Sequence, residues 1–145
     1  VTGELVYEGA NVTMGYAECG EDLIKGDERR RVLQTGDMAQ FDEDGYYYIV
    51  GRKKRFLKLY GNRVNLDEID RMIKEQFHNA DCASAGVDDH LYVFVTDQAV
   101  AEEVKPFLAG KTGINAVAFK TVVIDEIPKN DAGKNLYKEL AKYYL

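Results

Sequence analysis

Asp37, Arg52 and Lys134 are the side chains whose type and setting suggest chemistry. Asp37 follows Gly36 at the head of a β-type run. Its carboxylate can accept hydrogen bonds from both hydroxyls of a vicinal diol such as ribose, or it can close a turn on its own backbone. Arg52 follows Gly51 between two apolar stretches. A planar guanidinium there can clamp ribose or phosphate oxygens, or belong to a solvated charge run, Arg52-Lys53-Lys54-Arg55. Lys53 and Arg55 are read as solvated. Lys134 follows Gly133 in a polar loop, where an ammonium on a long stem can reach an anion held by another domain. Gly61 follows an apolar run and permits positive φ with close approach to the backbone, or it is an ordinary turn glycine.

The elements that must hold these groups fall into two sets. Residues 3–8 predict a strand, 12–16 a possible second, and 18–31 a charged loop. Asp42-Glu43-Asp44-Gly45 predicts a turn between β-type runs at 38–41 and 46–50. Residues 1–51 therefore read as a small antiparallel β unit, too small to be stable by itself. Residues 52–54 read as a polar hinge. Residues 56–60 predict a strand, followed by a Gly61-Asn62 turn. Asn65 with Glu68 three residues on marks a helix start, and Leu66, Ile69, Met72, Ile73 and Phe77 share one face. Strands are expected at 80–87, 91–96 and 117–125, and helices at 99–108 and 136–145. Pro106 should disturb the first of those two helices. Residues 55–145 thus predict an α+β domain with helices covering a small sheet.

Charge and composition narrow the partners. The 145 residues carry a net charge of −6, with 46% hydrophobic and 30% charged residues. That balance suits a globular core. It argues against nucleic acid, despite basic clusters at 29–31 and 52–58. No apolar run predicts a membrane span. Cys19 and Cys82 match no metal or disulfide spacing and read as reduced thiols of a cytoplasmic protein. His78 and His90 read as ordinary surface or turn histidines. The chain begins at Val1 rather than Met, and a piece of a longer protein is expected.

Four segments, in order, resemble motifs of the adenylate-forming superfamily, which includes acyl-CoA synthetases, nonribosomal peptide adenylation domains and luciferases. Gly3-Glu4-Leu5 through Gly9, with Gly15-Tyr16, is similar to its Gly-Glu-Leu motif. Thr35-Gly36-Asp37 is similar to its Thr-Gly-Asp motif. Gly45-Tyr46 through Gly51-Arg52, continuing to Gly61, Val64 and Glu68-Ile69, resembles its hinge motif and the loop after it. Pro128-Lys129-Asn130-Asp131-Ala132-Gly133-Lys134 resembles its terminal Pro-x-x-x-x-Gly-Lys motif. Each is weak alone, but together they span nearly the whole chain.

The resemblance implies the C-terminal part of an AMP-forming acid–thiol ligase that uses ATP, Mg²⁺ and coenzyme A. Residues 1–51 would end the N-terminal adenylation domain, and 55–145 would form a mobile lid. Asp37 and Arg52 would bind the nucleotide, Lys54 would be the hinge, and Gly61 would lie near the pantetheine. Lys134 would be the catalytic cation of adenylation. No metal ligands are expected in this chain. The partners implied are the N-terminal adenylation domain, a carboxylic acid, and coenzyme A or a carrier-protein pantetheine. A role in fatty acid metabolism is one expectation. The phosphate loop and acyl pocket of the family are not in this sequence, so the chain alone should be inactive. Gln34, Tyr137 and a missing Leu-Pro-x-Tyr-Met-x-Pro segment depart from the family pattern. The alternatives are a freestanding non-catalytic lid-like module and an adenylation domain that loads a carrier protein.

Overall fold

The computed structural model describes residues 2–78 and 80–144. The chain divides into two compact units, Val1–Lys54 and Arg55–Leu145.

The first unit is a three-stranded antiparallel sheet. It is built from β1 (Thr2–Glu8), β2 (Val32–Phe41) and β3 (Tyr47–Arg52), in that order across the sheet. The acidic turn forms where expected. The Asp42 carboxylate accepts a hydrogen bond from the Tyr46 N–H at 2.8 Å, and Gly45 takes φ +90°. Residues 12–16 form no strand; they run as irregular chain toward a 3-10 helix at Gly20–Ile24. The core here is thin. Met38 and Ala39 are the buried apolar residues among those described in this unit, while Phe41, Tyr46, Tyr47, Tyr48 and Ile49 are exposed.

The second unit is α+β, as expected. A 3-10 turn at Lys53–Arg55 leads into β4 (Phe56–Leu59), which pairs antiparallel with β5 (Asn62–Asn65). The hairpin turn is Tyr60-Gly61, one residue earlier than expected, with both residues at positive φ. Helix α1 (Leu66–Gln76) starts where the Asn65 side chain accepts from the Asp67 N–H at 3.0 Å. Strands β6 (Cys82–Val87) and β7 (His90–Val95) form an antiparallel hairpin. Helix α2 (Gln98–Thr112) then crosses to β8 (Phe119–Val123), which pairs parallel to β7. Pro106 does not break α2. The Glu102 carbonyl that loses its partner lies at an exposed position, so water can satisfy it.

Alternation along β7 builds two cores. Leu91, Val93 and Val95 face a cluster with Leu66, Ile69 and Ile73 of α1 and Val104 and Leu108 of α2. Tyr92 and Phe94 face the other way, against Ile124, Ile127 and Leu140. Each fully buried side chain of this size contributes about 1.5–3 kcal/mol. The final segment is a 3-10 helix, Tyr137–Tyr143, rather than an α-helix. It has no side-chain cap, and it is held by its packing: Tyr144 stacks on Tyr92 at 4.7 Å and Tyr143 lies against Phe94.

Candidate functional site

Thr35-Gly36-Asp37 lies in the middle of β2 and folds around its own hydroxyl. Thr35 donates to the Leu5 carbonyl at 2.7 Å and accepts from the Asp37 N–H at 3.1 Å. Gly36 has φ +76°, a value a side chain would strain. This kink presents Asp37 opposite Arg52 of β3, its partner in the strand register. Arg52 Nε lies 3.1 Å from Asp37 Oδ1, and the arginine is largely exposed. A groove beside them is lined by Glu4, Gln34, Thr35, Gly36, Arg52, Lys53 and Lys54. Lys53 is not a free surface charge, because its ammonium meets Glu4 at 2.7 Å. That lysine holds the Glu4 carboxyl below its ordinary value. Lys54 is exposed.

Gly61 and Lys134 lie on separate turns of the second unit. A Cβ built on Gly61 meets nothing within 4 Å, so the turn is open to an approaching molecule, and φ +85° rather than crowding favours glycine. The turn is pinned from below. Asp88 and Asp89 accept from the N–H groups of Lys58 and Tyr60 at 2.9 and 2.7 Å.

Lys134 stands on a small hairpin. The Lys129 and Asn135 backbones bridge, and the Leu136 N–H donates to the Pro128 carbonyl at 2.8 Å. Asn130 closes the tip, its side chain accepting from the N–H groups of Ala132 and Lys134 at 3.1 and 2.9 Å. Lys129 is anchored to Asp81 at 2.9 Å. The Lys134 side chain is exposed and makes no ion pair among the described residues. The backbone is thus held while the ammonium is left available.

Arg55 overturns the solvated-run expectation. Only 8% of it is exposed. Its guanidinium bonds Asp67 and Asp70 at 2.8 Å each and donates to the Ser84 carbonyl. Its Cζ also lies 3.7 Å from the centre of the Tyr137 ring. Burial pushes the Asp70 carboxyl up to about 6, while the Arg55 charge pulls the other way. Nothing in the local run Arg52-Lys53-Lys54-Arg55 sets Arg55 apart. The available signal was on α1, where Asp70 borders the buried stripe of Leu66, Ile69 and Ile73. A carboxylate so placed calls for a buried cation.

No protein-family model matches the chain. The chain is 30% identical, over 99% of its length, to 4-coumarate--CoA ligase-like 8 of Arabidopsis thaliana. It is 28% identical, over 99% of its length, to an oxalate--CoA ligase of the same plant. A 2-succinylbenzoate--CoA ligase of Bacillus cereus is 27% identical over 97% of the chain. Along nearly its whole length the chain is similar to CoA ligases. It spans 27–30% of the length of these three relatives. A structure from work on fatty acyl-adenylate ligases of E. coli and L. pneumophila matches this chain with a TM-score of 0.71. That match is 21% identical and covers 99% of this chain and 27% of the other. The amide bond synthetase McbA of Marinactinospora thermotolerans matches at 0.67 and 20% identity, covering 100% of this chain and 32% of the other. At those identities the likeness is one of fold.

Proposed function

We propose that this chain is the C-terminal part of an ATP-dependent, AMP-forming carboxylic acid–thiol ligase, and that it brings Lys134 to the α-phosphate of ATP. The observation that carries the proposal is an exposed ammonium, with no ion pair among the described residues, on a hairpin whose backbone is tied at both ends. In the first half-reaction a carboxylate oxygen bonds to the α-phosphorus and the bond to pyrophosphate breaks. Negative charge shifts over the phosphoryl oxygens, and a positioned cation lowers that barrier. In the second, a thiol attacks the acyl carbonyl, AMP leaves and a thioester forms.

In this scheme Asp37 accepts from the ribose hydroxyls and Arg52 holds the carboxylate in place while facing the nucleotide. Lys54 is the pivot of a hinge at 52–54, and the division of the chain between Lys54 and Arg55 supports it. A charged pivot stays hydrated in either orientation. The open Gly61 turn faces the pantetheine after rotation. Residues 1–51 complete the N-terminal adenylation domain, which supplies the phosphate loop and the acyl pocket. The relatives' names favour coenzyme A over a carrier protein as the acceptor. Among the described residues no group of three or more His, Cys, Asp or Glu can hold a metal. The proposal gives Mg²⁺ to the nucleotide's phosphates in the parent ligase. No described helix is long and apolar enough to cross a membrane. The proposal includes a cytoplasmic location and leaves the acid, a fatty acid among the candidates, to the parent's acyl pocket.

The test is pyrophosphate exchange by the full-length ligase over a panel of carboxylic acids, wild type against Lys134→Ala. The expected loss is roughly two or more orders of magnitude. An unchanged rate would remove Lys134 from the mechanism.

A further inference from the structure

We propose that Arg55 and Tyr137 are positioning residues that fix the Lys134 hairpin to the first residue after the pivot. The proposal rests on Lys134 having the role given above. Arg55 is the buried cation among the described residues, and it follows Lys54 directly. It binds both the first turn of α1, through Asp67, and the next, through Asp70. It also holds β6 through the Ser84 carbonyl. Its open face is covered by the Tyr137 ring. Tyr137 begins the terminal 3-10 helix, three residues after Lys134. The two residues between them are themselves held, Asn135 by its bridge to Lys129 and Leu136 by the Pro128 carbonyl. An unbroken series of bonded groups therefore runs from the pivot side to the ammonium arm.

The choice of groups suits a rigid joint. A guanidinium offers fixed, planar donors and a flat face, so it can satisfy two carboxylates, a carbonyl and a ring at once. A lysine at 55 would supply the charge without the fork or the stacking plane. A second arginine at 137 would set two cations against each other out of water, and the neutral ring avoids that.

Tyr137→Leu removes the ring and leaves the Arg55 salt bridges, so the fold should survive; Tyr137→Phe keeps the ring. Two measurements on the full-length ligase test the joint. In Tyr137→Leu, amide hydrogen exchange should speed up in residues 128–136 and stay unchanged elsewhere in 55–145. The kcat for adenylation should fall roughly tenfold, with KM for ATP within about twofold of wild type. Tyr137→Phe should match wild type in both. Unchanged exchange at 128–136, acceleration spread over the whole unit, or faster exchange with an unaltered kcat would each overturn the proposal. The exchange result does not need Lys134 to be catalytic. If Lys134→Ala kept full activity, the function proposed above would fail, while exchange at 128–136 would still decide whether the ring holds the hairpin.

Discussion

Asp37 and Arg52 face one another across β2 and β3, with Arg52 Nε 3.1 Å from Asp37 Oδ1. Half-open ion pairs of this kind contribute about 0–1 kcal/mol to stability. The pair's value to the protein therefore lies in where it holds a carboxylate. Gly36 at φ +76° and the Thr35 hydroxyl fix the backbone that carries it.

Asp37→Ala should accordingly leave the unfolding midpoint nearly unchanged and weaken nucleotide binding. In the full-length ligase, KM for ATP should rise roughly tenfold, the loss of about one or two charge-assisted hydrogen bonds. Steady-state kinetics at saturating acid would check it. An unaltered KM would leave Asp37 as a turn residue satisfying its own strand.

With Gly61 placed toward the pantetheine, as proposed above, a variant there should separate the two half-reactions. Its site is open, so Gly61→Ala meets no clash, but φ +85° strains any side chain. The expected stability cost is about 1–2 kcal/mol. Gly61→Val adds bulk to the exposed face of the same turn. Pyrophosphate exchange by this variant should stay near wild type, while thioester formation from preformed acyl-adenylate should fall at least tenfold, an order-of-magnitude expectation for a misplaced acceptor. Equal losses in both assays would place Gly61 outside the thiol path.

Asp70 gives a pH dependence of definite sign. Burial raises its carboxyl from an ordinary 3.8 to about 6, so the folded chain binds this proton more tightly than the unfolded chain. Its contribution to stability is full below about 4 and is lost as pH rises through about 6. The groups around it are Arg55, Asp67, Tyr137 and Ser84, whose N–H donates to the carboxylate at 2.6 Å, with Arg71, Lys74 and Glu75 lining the neighbouring groove. Asp70→Asn removes the titration. Between about pH 7 and pH 4, the stability difference should move in wild type's favour by on the order of 2 kcal/mol. Denaturant unfolding of both proteins at the two pH values measures it. A difference that stays flat would mean Asp70 titrates normally.

Much of this was legible because period and punctuation agree. The stripe of α1, its Asn65 cap and the acidic turn at 42–45 follow from residues adjacent in sequence. The α+β class followed from their order. What was not legible depends on distant partners. Strand β5 is four residues, Asn62–Asn65, polar but for Val64, and it exists because β4 lies beside it. Helix α2 keeps its course through Pro106 because its buried stripe of Ala101, Val104 and Leu108 holds it to the sheet. The terminal segment is 3-10 because tyrosines packing on β7, and no cap, set its path. In the site, Asp37 and Arg52 were singled out by their motifs, whereas their pairing across β2 and β3 came only with the register. Arg55 was hidden, since its partners Asp67, Asp70, Ser84 and Tyr137 lie 12 to 82 positions away along the chain.

Asp89 is the remaining residue whose placement makes a sharp prediction. It sits at φ +67° in the β6–β7 turn, donates its N–H to the Lys58 carbonyl at 2.8 Å and accepts from the Tyr60 N–H at 2.7 Å. It therefore grips the β4 side of the hairpin turn that carries Gly61, at Lys58 and Tyr60. Asp89→Asn keeps the tolerance for this backbone and an acceptor oxygen, whereas Asp89→Ala loses both. Asp89→Ala should cost about 1–2 kcal/mol, and Asp89→Asn less than half of that. Hydrogen exchange should accelerate at the Tyr60 amide in Asp89→Ala. Thioester formation should fall more than adenylation does, because Lys134, the cation proposed for adenylation, is carried by a different hairpin. If the Tyr60 amide stayed protected in Asp89→Ala, the β4–β5 pairing alone would suffice to hold the turn.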